Sequence, residues 1–210
     1  MSGAVAGTSE TGGRARLVII ALVAALVGAL GALWFAHARA SAPSDFGADA
    51  GFSRDMQTHH AQAVEMALLV RDRSTDEELR TVAYDILTSQ QHQAGQMYGW
   101  LVQWGLPQTG SGEPMAWVGD GHDEAHTRPD GSMPGMATRE QLDELRAADG
   151  VTAERLFLTL MIAHHEGGVA MAEAALSQAR TTEVQRLAGA ISAAQTSEIA
   201  LLQRMLADRS

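Results

Sequence analysis

Two stretches of this 210-residue chain carry the same side chains at the same spacing: Phe52, Met56, His59, His60, Met66 and Ala67 in the first, and Phe157, Met161, His164, His165, Met171 and Ala172 in the second. Imidazole nitrogen and thioether sulfur are borderline-to-soft metal ligands, so the pattern points to metal-ion binding. The chain has no Cys. A soft ion would therefore rest on His and Met alone, a donor set that suits copper, Cu(I) best, over Mg, Ca or Mn, with zinc as the alternative borderline ion. The candidate ligands are His59, His60, His164, His165, Met56, Met66, Met161 and Met171.

At about 100° per residue, Phe52, Met56, His59, His60, Ala63, Met66 and Ala67 fall within one helical arc of roughly 120°, and their counterparts in the second stretch do the same. An arc of that width is a buried stripe, so four imidazoles point inward. Each needs partners for its ring nitrogens, because an unpaired buried polar group costs about 1 to 3 kcal/mol. Gln90, Gln93, Gln195 and Glu198 lie on the apolar stripes of the neighbouring segments, where they could orient the imidazoles; Glu198 could also ligate directly. Small residues at Ala63, Ala67, Gly168 and Ala172 would let the two His-bearing helices approach closely. The plainer reading is that the methionines pack a core and the His pairs form hydrogen-bond locks with the Gln side chains.

A weaker candidate set lies between the stretches, where His122, His126, Met133 and Met136, with Met115, stand in an acidic segment rich in Gly and Pro. His37, beside the apolar N-terminal run, and His92, some 200° from the core stripe of its helix, are set aside.

The elements that must position these residues follow from the repeat. A shift of 105 residues, His59 to His164, also superposes Val82 on Leu187, Ala83 on Ala188, Ile86 on Ile191, Gln90 on Gln195, Gln93 on Glu198 and Met97 on Leu202. Two helical hairpins joined by a long crossover make an all-α four-helix bundle with a pseudo-two-fold axis. The domain is expected over 45–208, with a first repeat at 45–105, a crossover loop at 106–150 and a second repeat at 151–208. Helices are predicted over 45–73, from 75 to about 104, over 152–180 and over 182–207. Thr75-x-x-Glu78 reads as a capping box, Gly105-Leu106-Pro107 ends the second helix, and Thr138-x-x-Gln141 caps a short helix in the crossover.

The formal charge is −10, and without the first 40 residues, which hold three Arg and one Glu, 12 basic against 24 acidic residues leave −12. That balance argues against nucleic acid as a partner. From Leu17 to Ala36 every residue is apolar or Gly, and about 20 such residues cross a bilayer core. Arg14 and Arg16 precede the run, which by the positive-inside rule holds the N-terminus in the cytoplasm and sends the domain outward. Residues 1–16 are expected to be a disordered cytoplasmic end, 17–36 a transmembrane anchor or signal segment, and 37–44 a tether. Ala36-His37-Ala38 and Ala38-Arg39-Ala40 would suit a signal peptidase. The run exceeds the usual signal core, which favours a retained single-pass anchor in the cell membrane; cleavage would make the protein secreted.

The His and Met stretches, together with Met133-Pro134-Gly135-Met136-Ala137-Thr138 and Leu156-Phe157-Leu158-x2-Met161-Ile162-x-His164-His165-Glu166-Gly167, resemble a bacterial family catalogued as domain of unknown function 305, from about Asp45 to Leu206. The resemblance implies a ferritin-like four-helix bundle and metal handling, with copper implied by extension from periplasmic relatives linked to copper tolerance. The first half departs from the family pattern in carrying Gln93-Ala94 where the second keeps Glu198-Ile199.

The expected function is extracytoplasmic copper sequestration or buffering by a protein that is not an enzyme. A non-catalytic envelope module with buried His locks is the alternative. A ferritin-like oxidase is a second alternative, but it would need inward Glu residues in a Glu-x-x-His pattern. Neither Glu65 nor Glu166 has a His three residues later, and both lie about 140 to 180° from their Met on the helix.

Overall fold

Apolar stripes on four long segments, interrupted near Ser74 and at Ala179 to Thr181, fold as two helical hairpins. The computed structural model describes residues 9–40, 42–119 and 126–209, and all its regular elements there are helices: α1 (Ser9–Ala40), α2 (Ala48–Arg73), α3 (Glu77–Trp104), α4 (Arg139–Ala147), α5 (Gly150–Gln178) and α6 (Thr182–Ala207). Two units result, Met1–Ala42 and Pro43–Ser210.

In the first unit, Gly13–Trp34 forms 22 residues of mean hydropathy 2.7 with none of its side chains buried. At 1.5 Å per residue that stretch is long and apolar enough to cross a membrane or to serve as an export signal. Helix α1 reaches back to Ser9 and on to Ala40, so neither the disorder expected over 1–16 nor the tether from 37 holds throughout. Once a helix is nucleated in an apolar run, each added residue gains a hydrogen bond at little further cost, and the ends propagate outward. The rest of the predicted disordered end, residues 1–8, lies outside the described residues.

In the second unit, α2 pairs with α3 and α5 with α6, and the hairpins meet through α2 against α5, with no comparable packing of α3 on α6. Helix α3 starts from Asp76, whose carboxylate accepts the Leu79 N–H at 2.8 Å, and not from the predicted Thr75 box. Asp caps as well as Thr, and it sits one residue closer to the first helical turn. Gly105 ends α3 in the left-handed region at φ 70, as its sequence promised. The box at Thr138 and Gln141 forms with both of its hydrogen bonds.

Helix α5 runs two residues earlier at each end than the predicted 152–180. Its C-terminus is fixed by a residue of the opposite hairpin. Buried Asp49 accepts the Arg180 N–H at 3.1 Å, the Thr181 N–H at 2.8 Å and the Thr181 hydroxyl at 2.7 Å, which holds both residues out of the helix. The 105-residue shift carries Asp49 onto Glu154, which accepts the Ser74 hydroxyl at 2.6 Å in the other hairpin's turn and pairs with Arg209 at 2.7 Å. Each hairpin thus satisfies the turn of the other, and the reciprocal clamps set the register of α2 against α5.

Two apolar clusters fill the interior. One joins Phe52, Met56, Met97, Met115, Met133 and Met171; the other joins Met66, Phe157, Met161, Leu202 and Met205. Met56 therefore shares a cluster with Met171 and Met66 with Met161, and the pseudo-two-fold exchanges the two clusters. Since each His pair falls between its two methionines along the helix, the imidazoles form a polar layer between the clusters.

Candidate metal centre

All four predicted imidazoles are fully buried in that layer. His59 and His164 meet across the α2–α5 contact with ring centroids 3.7 Å apart and planes inclined by 31°. The His164 Nε2–H donates to the His59 carbonyl at 3.0 Å, while the His59 Nε2–H donates to the Pro134 carbonyl at 3.0 Å. The other two rings turn toward their own hairpin partners. His60 Nε2–H donates to Gln93 Oε1 at 2.8 Å, and His165 Nε2–H donates to Glu198 Oε2 at 2.6 Å.

These contacts fix the tautomers. Every Nε2 faces an oxygen with no hydrogen to give, so each Nε2 carries the proton, and a ring that is neutral keeps its lone pair on Nδ1. All four Nδ1 atoms are buried and have no hydrogen-bond partner in the protein. Gln90 and Gln195, each one turn before the residue that holds an imidazole, also bury both carboxamide atoms without a partner. These imidazole and carboxamide atoms are related by the repeat, whereas the other buried atoms without a partner, Arg71 Nε, Gln108 Oε1 and Gln178 Nε2, are not.

Burial keeps His59, His60 and His164 neutral. Desolvation drives the His59 pKa down to about 4 against the opposing Pro134 hydrogen bond, and drives His60 down to about 3 with repulsion from His59 adding to it. His164 is lowered well below the ordinary range by desolvation, with repulsion from His59, His165 and His60 following. The mutual repulsions identify the four rings as one electrostatic group. A neutral imidazole with a free lone pair and its opposite N–H held by a carbonyl, carboxamide or carboxylate is the form in which His ligates metals.

Among the described residues no group of three or more His, Asp or Glu side chains is placed to hold a metal ion. A methionine precedes each of the outer imidazoles by one turn on the same buried face, Met56 before His60 and Met161 before His165. All four predicted methionines are fully buried, although the two-cluster core divides them into pairs.

The predicted partners divide too. Gln93 and Glu198 hold imidazoles; Gln90 and Gln195 do not. Gly168 lies against Gln195 of α6, where a Cβ would stand 3.2 Å from the Gln195 carboxamide nitrogen. The small residue makes room for a buried polar side chain of α6. In the crossover, Met133 is buried and Met136 packs against the same cluster, whereas His126 is exposed. His122 lies outside the described residues. Met133 and Met136 are thus parted from His126. His92 is exposed, and the side chain of His37 lies outside the described residues.

Three features were missed in the sequence. The Pro134 carbonyl, partner of His59, comes from the aperiodic crossover. Gly135, at φ 73, lies against the α5 backbone, where a Cβ would stand 2.9 Å from His164 Cα. Gly167 faces it, where a Cβ would stand 2.7 Å from Gly135 N. The run Met133-Pro134-Gly135-Met136 between two aperiodic stretches was the available signal. The loop is held down by Gln62, which donates to the Ala137 carbonyl at 3.0 Å and accepts the Ala137 N–H at 2.6 Å. Farther along it, Asp55 accepts the Met115 N–H and the Trp117 indole N–H, each at 2.8 Å.

A family profile described as a domain of unknown function, DUF305, matches residues 49–206. Among solved structures, a DUF305 protein from Streptomyces coelicolor is 44% identical with a TM-score of 0.72, covering 79% of this chain and 96% of its own. A DUF305 fragment from Deinococcus radiodurans is 35% identical with a TM-score of 0.62, covering 77% of this chain and 96% of its own. CopM in its Cu(II)-bound form is 24% identical with a TM-score of 0.59, covering 78% of this chain and 98% of its own; that protein was also solved with Cu(I) and with silver. No curated protein matches the chain.

Proposed function

This chain belongs to the DUF305 family, and from that premise we propose that its helical domain holds a soft metal ion, copper before zinc, outside the cytoplasm. The ligands are drawn from His59, His60, His164 and His165, with thioether help from Met56, Met66, Met161 and Met171. One observation carries the reading: four buried Nδ1 atoms and two buried carboxamides, related by the repeat, have no partner within the protein. Leaving them so would cost about 1 to 3 kcal/mol each, a sum comparable with the whole stability of a domain. A bound ion repays that cost at the imidazoles. The copper and silver bound by CopM, a relative of similar fold, support the choice of metal.

The protein acts as a holder and not as a catalyst. Of the acids that a dinuclear oxidase would draw on, Glu65 pairs with Arg146 at the surface and Glu166 is exposed, while Glu198 reaches the layer and is held by His165. Helix α1 serves as the membrane anchor, with Arg14 and Arg16 on the cytoplasmic side. The hydrogen-bond lock accounts for the four Nε2 contacts, but it leaves the four Nδ1 atoms without a purpose.

Anaerobic titration with Cu(I) against a competing chelator tests the proposal. Stoichiometric binding is expected, falling at least 100-fold when His59, His60, His164 and His165 are all changed to Ala. The milder pair His60→Gln with His165→Gln should fall at least tenfold with the melting temperature little changed. Undiminished binding in both variants would remove the assignment.

A further inference from the structure

The pseudo-two-fold axis relates the His60 half of the layer to the His165 half, yet one related pair of residues differs in charge. His60 donates to the neutral carboxamide of Gln93, and His165 donates to the carboxylate of Glu198. Glu198 is 28% exposed along its side chain, and its Oε2 stays on the ring. Other parts of the two places correspond, Met56 with Met161, Gln90 with Gln195, and a buried Nδ1 on each ring, while the adjacent rings differ in that His59 donates to Pro134 and His164 to the His59 carbonyl.

We propose that the two halves are unequal metal sites, with Glu198 as the residue that sets the preference. Resting on the function proposed above, this assigns the divalent ion to the His165 half and leaves the His60 half selective for a monovalent ion. The reason is electrostatic. A carboxylate on the far nitrogen makes the ligating Nδ1 more basic and places one negative charge near the ion in a poorly screened interior. Coulomb attraction scales with the charge of the ion, so the carboxylate stabilises Cu(II) about twice as much in free energy as Cu(I). Gln93 offers the same hydrogen bond without the charge, and a divalent ion in that half would stay uncompensated.

Glu198 touches the imidazole and need not touch the metal, so it acts by positioning and polarising His165. The test uses the full chain in detergent at pH 7, titrated with Cu(II) and, anaerobically, with Cu(I), in wild type, Glu198→Gln and Gln93→Glu. Both substitutions keep the hydrogen bond, and melting of the metal-free proteins checks that the fold is kept. Loss of an outer partner of this kind typically lowers affinity about 10- to 100-fold. Glu198→Gln is expected to cost Cu(II) that factor and Cu(I) only its square root, about 3- to 10-fold. Gln93→Glu is expected to raise Cu(II) affinity and give two sites of similar strength. Equal losses for both ions in Glu198→Gln, or a Cu(II) change under twofold in both variants, would overturn the inference while leaving metal binding intact. A wild type that binds neither ion would overturn the proposed function, and this with it.

Discussion

Between pH 6.5 and pH 4 the metal-free protein is expected to lose most of its stability. In the folded chain His59 titrates at about 4 and His60 at about 3, and His164 is lowered well below the ordinary range, in each case chiefly by desolvation. In the unfolded chain each returns to about 6.5. Above that value both states are neutral and the full stability is present. Below it the unfolded chain takes up protons that the folded chain refuses, and the balance moves toward unfolding. At pH 5 each ring contributes about 2 kcal/mol of loss, so the three together approach about 6 kcal/mol. A domain is stable by only about 5 to 15 kcal/mol. Asp55 works in the opposite direction, since burial raises its pKa, but it is one group against three. Denaturant midpoints followed by circular dichroism at half-unit pH steps would measure the effect. A slope approaching three protons between pH 5.5 and 4.5 is expected; stability unchanged from pH 7 to 4.5 would mean that the imidazoles are not buried as described.

The second large effect comes from two glycines. Gly135 has φ 73, a region costly to a residue with a Cβ, and such an atom would stand 3.0 Å from the His164 carbonyl oxygen and 2.9 Å from its Cα. At Gly167 an added Cβ would run into the backbone of Pro134 and Gly135. Helix and loop backbones cannot rotate away as a flexible side chain could, so either Gly135→Ala or Gly167→Ala must lift the loop. Lifting it takes the Pro134 carbonyl from His59 and unpairs a buried N–H. About 3 kcal/mol or more is expected for each, or roughly 6 to 12 °C in melting temperature for a domain of this size. Gly95→Ala in α3 is the contrast, because a Cβ there meets nothing within 4 Å, and helix propensity alone should stabilise by about 0.5 to 1 kcal/mol. Opposite signs for the same chemical change would place the clamp; losses under 0.5 kcal/mol at both Gly135 and Gly167 would remove it.

Much of this architecture was legible because helical periodicity is a local property and the repeat supplied it twice. The arc containing Phe52, Met56, His59, His60 and Met66 is buried as its angles required, and the α6 bounds at Thr182 and Ala207 match those read from the sequence. The shift that aligns His59 with His164 also identified Gln93 and Glu198 as ring partners. Nothing in that shift distinguished them from Gln90 and Gln195, because a one-turn difference on the same stripe decides which side chain reaches an imidazole. The Asp49 and Glu154 clamps obey the same shift, but the groups they bind lie in the turn of the opposite hairpin, which helical period does not locate. What escaped was carried by backbone: the Pro134 carbonyl, the loop conformation at Gly135 and the contact at Gly167. A segment without period gives no register, so its contacts are set by tertiary packing alone. The N-cap of α3 moved from Thr75 to Asp76 for a smaller reason, two good capping residues standing side by side.

The central claim is that the buried layer binds a soft ion through imidazole nitrogen and thioether sulfur. The X-ray absorption spectrum of the Cu(I)-loaded protein, purified anaerobically and desalted, addresses it most directly. Mixed scattering from nitrogen and sulfur is predicted, with the sulfur contribution reduced when Met56 and Met161 are changed to Leu. Copper absent after desalting, or a first coordination sphere of oxygen alone, would contradict it.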